Sequence, residues 1–382
     1  MAALRSVLPA PAEGGFPLHE PEFLGREWEY LKDCLDTGWV SSAGGYVDRI
    51  ERDLEAITGI EHAVATSNGT AALDICLKLA GVRAGDEVLV PALTFVATAN
   101  AVAYQRATPH FIDSEAVTLG VDPVGLDALL SETARLTPDG CVNVTTGAPI
   151  RALMVMHVFG HPCDLDGLCE VAARWKLTLI EDAAEGLGSR WRGEHVGGRG
   201  LLSALSFNGN KIVTTGGGGA VLTRDPALAA RAKHLTTTAR TPHQWSFVHD
   251  EVGYNYRMPN LNAALGCAQL ERLPDMLARK AELARRYARA FADIDGARLL
   301  VPRPGAEVNH WLNALILDRP DMAARDAVLE ALNKGGFMAR PLWTLMHRLP
   351  MYAACPRAPL PVAEALEASV VNIPSSARLA DT

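Results

Sequence analysis

The sequence predicts an α/β fold, with a large domain built on a mostly parallel sheet and a small C-terminal α+β domain. Three observations carry this expectation. Short apolar runs of strand length alternate with helix-like stretches from residue 62 to residue 235. At 382 residues with 48% hydrophobic content, the chain can bury a large core and form two or three domains. After Arg257-Met258-Pro259 the pattern changes to a long helical region and a short mixed segment, which places the division at 1–258 and 259–382.

Taken in order, Pro17 to Phe23 reads as an ordered lead-in, and Trp28, Leu31 and Leu35 give Arg26 to Asp36 a helical face. Val47, Ile50, Leu54 and Ile57 recur at helical spacing, so Tyr46 to Thr58 is an amphipathic helix that Gly59 stops. His62 to Ala65, Glu87 to Val90, His110 to Asp113, Ile150 to Met156 and Leu177 to Ile180 read as strands. The segments between them, Ala71 to Ala80, Phe95 to Tyr104, Gly125 to Ser131 and Leu165 to Trp175, read as helices. Such alternation implies parallel strands covered on both faces. Ala220 to Thr223 is a further strand, followed by a helix through Leu235. Pro259 suits the first turn of the long helix running to about Asp293. Trp311 to Leu317 (strand), Met322 to Lys334 (helix) and Phe337 to Leu342 (extended) make up the small domain. A cleft between the two lobes is the expected place for a ligand.

Composition excludes several classes. A net charge of −8 and a pI near 5.8 argue against nucleic acid as partner, and Lys and Arg form no basic block. Seven cysteines form no CxxC pair and are odd in number, which fits reduced thiols of a cytoplasmic protein better than a disulfide frame or a metal site. No segment is apolar for long enough to span a bilayer, and Met1 to Gly15 lacks the apolar core of a signal peptide. No GxGxxG follows the first strand, so a dinucleotide fold has no support.

Three stretches carry chemistry. Ser206-Phe207-Asn208-Gly209-Asn210-Lys211 leads into the glycine run Gly216 to Gly219, so Lys211 is either a surface ammonium on a turn or a Schiff-base lysine near a cofactor. Glu181-Asp182-Ala183-Ala184-Glu185 places carboxylates at a strand's carboxyl end, where an aspartate either caps a helix or keeps a pyridine nitrogen protonated. Ser67-Asn68-Gly69-Thr70 precedes a helix, and is either an ordinary cap or an anion site made of free N–H groups.

These motifs, with Gly38-Trp39-Val40-Ser41-Ser42, Pro91-Ala92-Leu93-Thr94-Phe95-Val96-Ala97-Thr98, His157-Val158-Phe159-Gly160 and Gly253-Tyr254-Asn255-Tyr256-Arg257-Met258, together resemble the DegT/DnrJ/EryC1/StrS sugar aminotransferases. The resemblance covers nearly the whole chain. It implies the aspartate aminotransferase fold (fold type I) and pyridoxal 5'-phosphate (PLP) as cofactor. By the family pattern Lys211 bonds the cofactor aldehyde and shuttles the proton, while Asp182 pairs with the pyridinium nitrogen. Gly69, Thr70 and Ser206 hold the phosphate, and Phe95 stacks on the ring. Asn255 reaches the cofactor of a neighbouring subunit, which implies a homodimer with shared sites.

Glu185 departs from the commoner glutamine. The Asp-Ala-Ala-Glu version looks like the branch that aminates C4 of UDP-4-keto-6-deoxy-N-acetylglucosamine, with L-glutamate as the donor the family implies. Amination of GDP-4-keto-6-deoxymannose, and a non-catalytic PLP-binding regulator, are the alternatives. Trp39, His310 and His347 are candidates to line the sugar-nucleotide cleft, each also readable as a core aromatic or a satisfied histidine. Arg257 or Arg340 could clamp a diphosphate or form an ordinary ion pair.

Overall fold

In the computed structural model, which describes residues 1–11 and 14–381, the chain forms eleven α-helices and eighteen strands among the described residues. The N-terminal helices are α1 (Ala2–Val7), α2 (Glu27–Thr37) and α3 (Gly45–Thr58). Then come β1 (His62–Thr66), α4 (Gly69–Leu79), β2 (Glu87–Pro91), α5 (Val96–Tyr104), β3 (Thr108–Ile112), α6 (Pro123–Thr133), the hairpin β4 (Ala134–Thr137) and β5 (Gly140–Asn143), β6 (Pro149–Met156), α7 (Leu165–Arg174) and β7 (Thr178–Asp182). Two short strands, β8 (Arg190–Trp191) and β9 (Glu194–His195), precede β10 (Leu202–Ser206), β11 (Gly219–Thr223), α8 (Pro226–Thr236) and the ribbon β12 (Arg240–Thr241) and β13 (Val248–His249). The chain ends with α9 (Asn260–Ala290), β14 (Ala297–Leu299), β15 (Ala306–Glu307), β16 (Asn313–Leu317), α10 (Met322–Lys334), β17 (Arg340–Pro341), α11 (Pro361–Glu367) and β18 (Val370–Ile373).

The large sheet has the order β1-β11-β10-β7-β6-β2-β3. Pairing from β10 through β3 is parallel, and β11 lies antiparallel to both its neighbours. Alternate residues of one strand enter different cores: Ile150, Leu153 and Val155 of β6 join one cluster, Ala152, Met154 and Met156 the other. Both faces are therefore buried, which is why these strands read as continuous apolar runs. The β4–β5 hairpin, which the sequence reading passed over, pairs antiparallel with the start of β6.

The small sheet, β14-β16-β18-β17, is antiparallel throughout. β18 and α11 carry too few residues for periodicity to reveal them. The division expected at 258/259 falls at the foot of α9, which serves both lobes. Its first half packs Ala263, Ala264 and Cys267 with Ile50 and Leu54 of α3, whereas Leu283 and Tyr287 join the C-terminal core. Leu4 and Leu8 are buried in that C-terminal core too, so the first residues pack against the end of the chain.

Candidate active site

Strand geometry separates the two acids that end β7. Successive side chains point to opposite faces, so Glu181 and Asp182 meet different surroundings. The Glu181 carboxylate accepts from the amides of Gly197 (2.6 Å), Arg199 (2.8 Å) and Gly200 (2.6 Å), and lies 2.9 Å from His157 Nε2. Burial opposes its ionisation, but the His157 and backbone hydrogen bonds hold its pKa below the usual carboxylate value. Glu181 is thereby spent on holding the loop after β9. Asp182 accepts from the Thr98 hydroxyl (2.7 Å) and the Ala184 amide (3.1 Å), and forms no ion pair among the described residues. Burial pushes its pKa up, against the pull of Thr98, Ala184 and the Lys211 charge.

Asn68 caps α4 by accepting from the Ala71 amide at 2.8 Å. The Gly69 and Thr70 amides open that helix and have no partner inside it, so they and the helix dipole favour an anion. Gly69 lies against the end of β10: a Cβ built there would sit 2.8 Å from Ser206 Cβ and 3.1 Å from its hydroxyl. Only glycine lets this helix start approach Ser206 so closely.

The segment after β10 is a clasp. The Phe207 amide donates to Gly218 (2.8 Å) and the Thr215 amide to Phe207 (2.9 Å), closing a loop that carries Lys211 at its tip. Asn262 of α9 donates to the carbonyls of Thr215 (2.7 Å) and Gly217 (3.1 Å), fixing the clasp to the long helix. Lys211 Nζ donates to Glu185 Oε1 at 3.1 Å and sits 3.9 Å from the centroid of the Trp311 ring. Glu185 is buried, and its other oxygen accepts from the Phe159 amide at 2.8 Å. Burial raises its pKa and the Lys211 charge pulls the other way.

These groups converge on a cavity of about 320 Å³ lined by Gly69, Thr70, Phe95, Asp182, Glu185, Ser206 and Lys211, among others. Seven of the expected residues are thus brought together. Five are not. Asn255 is exposed on the stretch after β13, and Trp39 is 58% exposed on the loop before α3. Arg257 lines a basic surface hollow with Lys233 and Arg240. His310, at φ 50°, stands edge-on to His161 at 6.4 Å and lines an apolar groove along α9. His347 lies 3.6 Å from Glu364. Within one chain the last two are turned to other partners, and neither lines this cavity. The wall instead includes Trp311 and Trp343, neither of which was expected there. Trp311 is positioned by its indole N–H, which donates to the Asn210 carbonyl at 2.7 Å beside Lys211. No sequence spacing signals a contact between residues 101 positions apart. Thr98, which holds Asp182, was not expected either; its position one helical turn after Phe95 at the start of α5 is the signal that could have found it.

The residues fit PLP. Unpaired amides and a hydroxyl suit its phosphate, and a buried carboxylate without a cation suits its pyridinium nitrogen. A lysine amine at the far wall suits its aldehyde. Fold and site together define a PLP-dependent enzyme of fold type I. A sequence model of the DegT/DnrJ/EryC1/StrS aminotransferase family matches residues 23–382, and the chain belongs to that family. It is 36% identical over 363 residues to GDP-perosamine synthase of Caulobacter vibrioides, covering 94% of this chain and 93% of that one. It is 35% identical over 361 residues to GDP-perosamine synthase of Escherichia coli O157:H7, with the same coverage of 94% and 93%. Among solved structures, the aminotransferase TlmJ from Streptoalloteichus hindustanus superposes with a TM-score of 0.85 at 28% identity, covering 94% of this chain and 93% of that one. The protein is a PLP-dependent sugar aminotransferase.

Proposed function

We propose that this enzyme aminates C4 of GDP-4-keto-6-deoxymannose, with L-glutamate as amino donor. The meeting of Lys211, Asp182 and the α4 N-terminus in one cavity carries the chemistry, and the two GDP-perosamine synthases support the substrate. Bound PLP supplies an electron sink for the carbon that loses or gains a proton. The Gly69 and Thr70 amides and the Ser206 hydroxyl bind the phosphate, and Phe95 covers one ring face. Asp182, destabilised as a lone buried anion, is stabilised by a pyridinium N–H and keeps that nitrogen protonated. Lys211 Nζ takes the proton from Cα of the donor and later returns one to C4 of the sugar. The Glu185 carboxylate holds the lysine amine in place.

A second reading, the UDP-linked N-acetylglucosamine derivative, rests on Glu185. Its two oxygens are engaged by Lys211 and the Phe159 amide, so its contacts bear on the cofactor rather than on a nucleotide base. We extend the proposal to a homodimer in which Asn255 and Arg257 complete the neighbour's site. Asn255 lies outside its own chain's cavity, and exposed Trp245, Phe247 and Val252 lie on the same stretch, an apolar surface suited to a second copy. A cytoplasmic location belongs to the same proposal and is supported by seven unbridged cysteines.

Borohydride treatment of the PLP-loaded protein, followed by peptide mass spectrometry, is expected to find one pyridoxyl group, on Lys211. In a separate, unreduced sample L-glutamate is expected to shift the cofactor's absorbance, and GDP-4-keto-6-deoxymannose to restore it faster than the UDP or TDP sugars. An adduct on another lysine, or no response to glutamate, would refute the assignment.

A further inference from the structure

Behind the two tryptophans of the site lies a second chamber, of about 410 Å³. It shares Asn210, Trp311 and Trp343 with the Lys211 cavity, so the two compartments meet across the same wall. Its remaining polar lining comes from three separated parts of the chain: His19 of the lead-in, Arg340 of β17 and Asn372 of β18. Two of these carry buried polar atoms with no hydrogen-bond partner, His19 Nδ1 and Asn372 Oδ1.

The chemistry of the unpaired atoms says what is missing. Burial holds the His19 imidazole neutral, and its ring bonds the Asn210 backbone, which leaves Nδ1 as an acceptor. The Asn372 amide nitrogen donates to the Pro341 carbonyl at 3.4 Å, which leaves its oxygen as an acceptor. Two buried acceptors without donors are costly to keep, and a ligand bearing hydroxyl groups satisfies both. A carboxylate offers no donor, so the amino donor's carboxylates do not meet this need. Arg340 makes no ion pair among the described residues, its guanidinium reaching only the Ala339 carbonyl at 3.5 Å. It adds an uncommitted positive charge at the rim, suited to a sugar diphosphate.

Building on the proposed function, we propose that this chamber is the sugar subsite, in which His19 and Asn372 accept hydrogen bonds from the hydroxyls of the keto-sugar and so determine which sugar is aminated. Lys211 Nζ lies 3.9 Å from the centroid of the Trp311 ring, which lines both compartments.

The two halves of the reaction separate the possibilities. In His19→Leu, KM for the keto-sugar nucleotide is expected to rise at least tenfold, with the glutamate half-reaction, followed by cofactor absorbance, unchanged within twofold. His19→Gln, which keeps an acceptor, is expected to restore most of the loss. Calorimetric titration with the amino-sugar nucleotide product should show a matching rise in Kd. An unchanged sugar KM overturns the inference, as does equal damage to both half-reactions or damage to the glutamate half alone. The substrate reading is tested separately, by wild-type turnover of GDP-, UDP- and TDP-linked keto-sugars. The subsite is judged from the variant-to-wild-type ratio on whichever sugar the wild type accepts.

Discussion

Asp182, Glu181 and Glu185 are all buried acids within five positions, yet their neighbours give them different work. Glu181 is saturated by amides and His157, so it is structural, while Asp182 is left short of positive charge and is ready for a cation. His195 shows the same logic in a base. Its Nε2 accepts from the Gly188 amide at 2.8 Å while Nδ1–H donates to the Val196 carbonyl, so both nitrogens are committed with the ring neutral. Burial pushes its pKa down to about 4, although the Val196 carbonyl pulls the other way. With the folded value depressed below that of the unfolded chain, the unfolded state binds the extra proton as pH falls, and stability is lost from about 6.5 downward. His195 alone should therefore cost about 2 kcal/mol of stability between pH 7 and pH 5. Urea unfolding at both values is the measurement, and His195→Gln, which cannot titrate, should show a smaller drop. An equal drop in the variant would sink this account.

At the scale of elements, the site depends on how closely the start of α4 meets the end of β10. Gly69 permits that approach on one side, and Gly219 on the other, where an added Cβ would lie 2.6 Å from the Asn68 carbonyl carbon. Gly69→Ala forces Ser206 and the helix apart, so stability is expected to fall by about 1–3 kcal/mol, the usual cost of overpacking. PLP affinity should drop about tenfold, the equivalent of one lost hydrogen bond to the phosphate. Thermal unfolding and absorbance titration of apo-protein with PLP read the two effects. Because the nearest obstruction is the Ser206 side chain, adding Ser206→Gly should recover stability but not the whole of the affinity. If the single variant binds PLP as tightly as the wild type, the close approach has no part in holding the phosphate.

At the scale of the whole molecule, one chain supplies the cavity that holds Lys211 but not Asn255. The proposed shared-site dimer leads to a complementation test. Lys211→Ala and Asn255→Ala homodimers should each be weak or inactive, and unfolding and refolding them together should return up to about a quarter of wild-type activity. This follows because half of the mixed molecules are heterodimers, and each heterodimer owns one intact site. Sedimentation should show a dimer in every sample. Activity that never exceeds the mean of the two parents would mean that each chain works alone.

Much of this was written in the sequence, and for a local reason. Strand runs, helix caps and the lysine clasp are set by neighbouring residues, so Asp182, Ser206, Gly69, Thr70 and Lys211 were recognisable with their elements. The family motifs lie in the same local segments and carried the cofactor with them. Tertiary structure alone decided the rest. It brought Trp311, Trp343, His19 and Asn372 to the wall and to the chamber behind it, and left His310 and His347 elsewhere. Those contacts join segments up to hundreds of residues apart, and they exist only because both lobes close on α9, which no short-range pattern encodes.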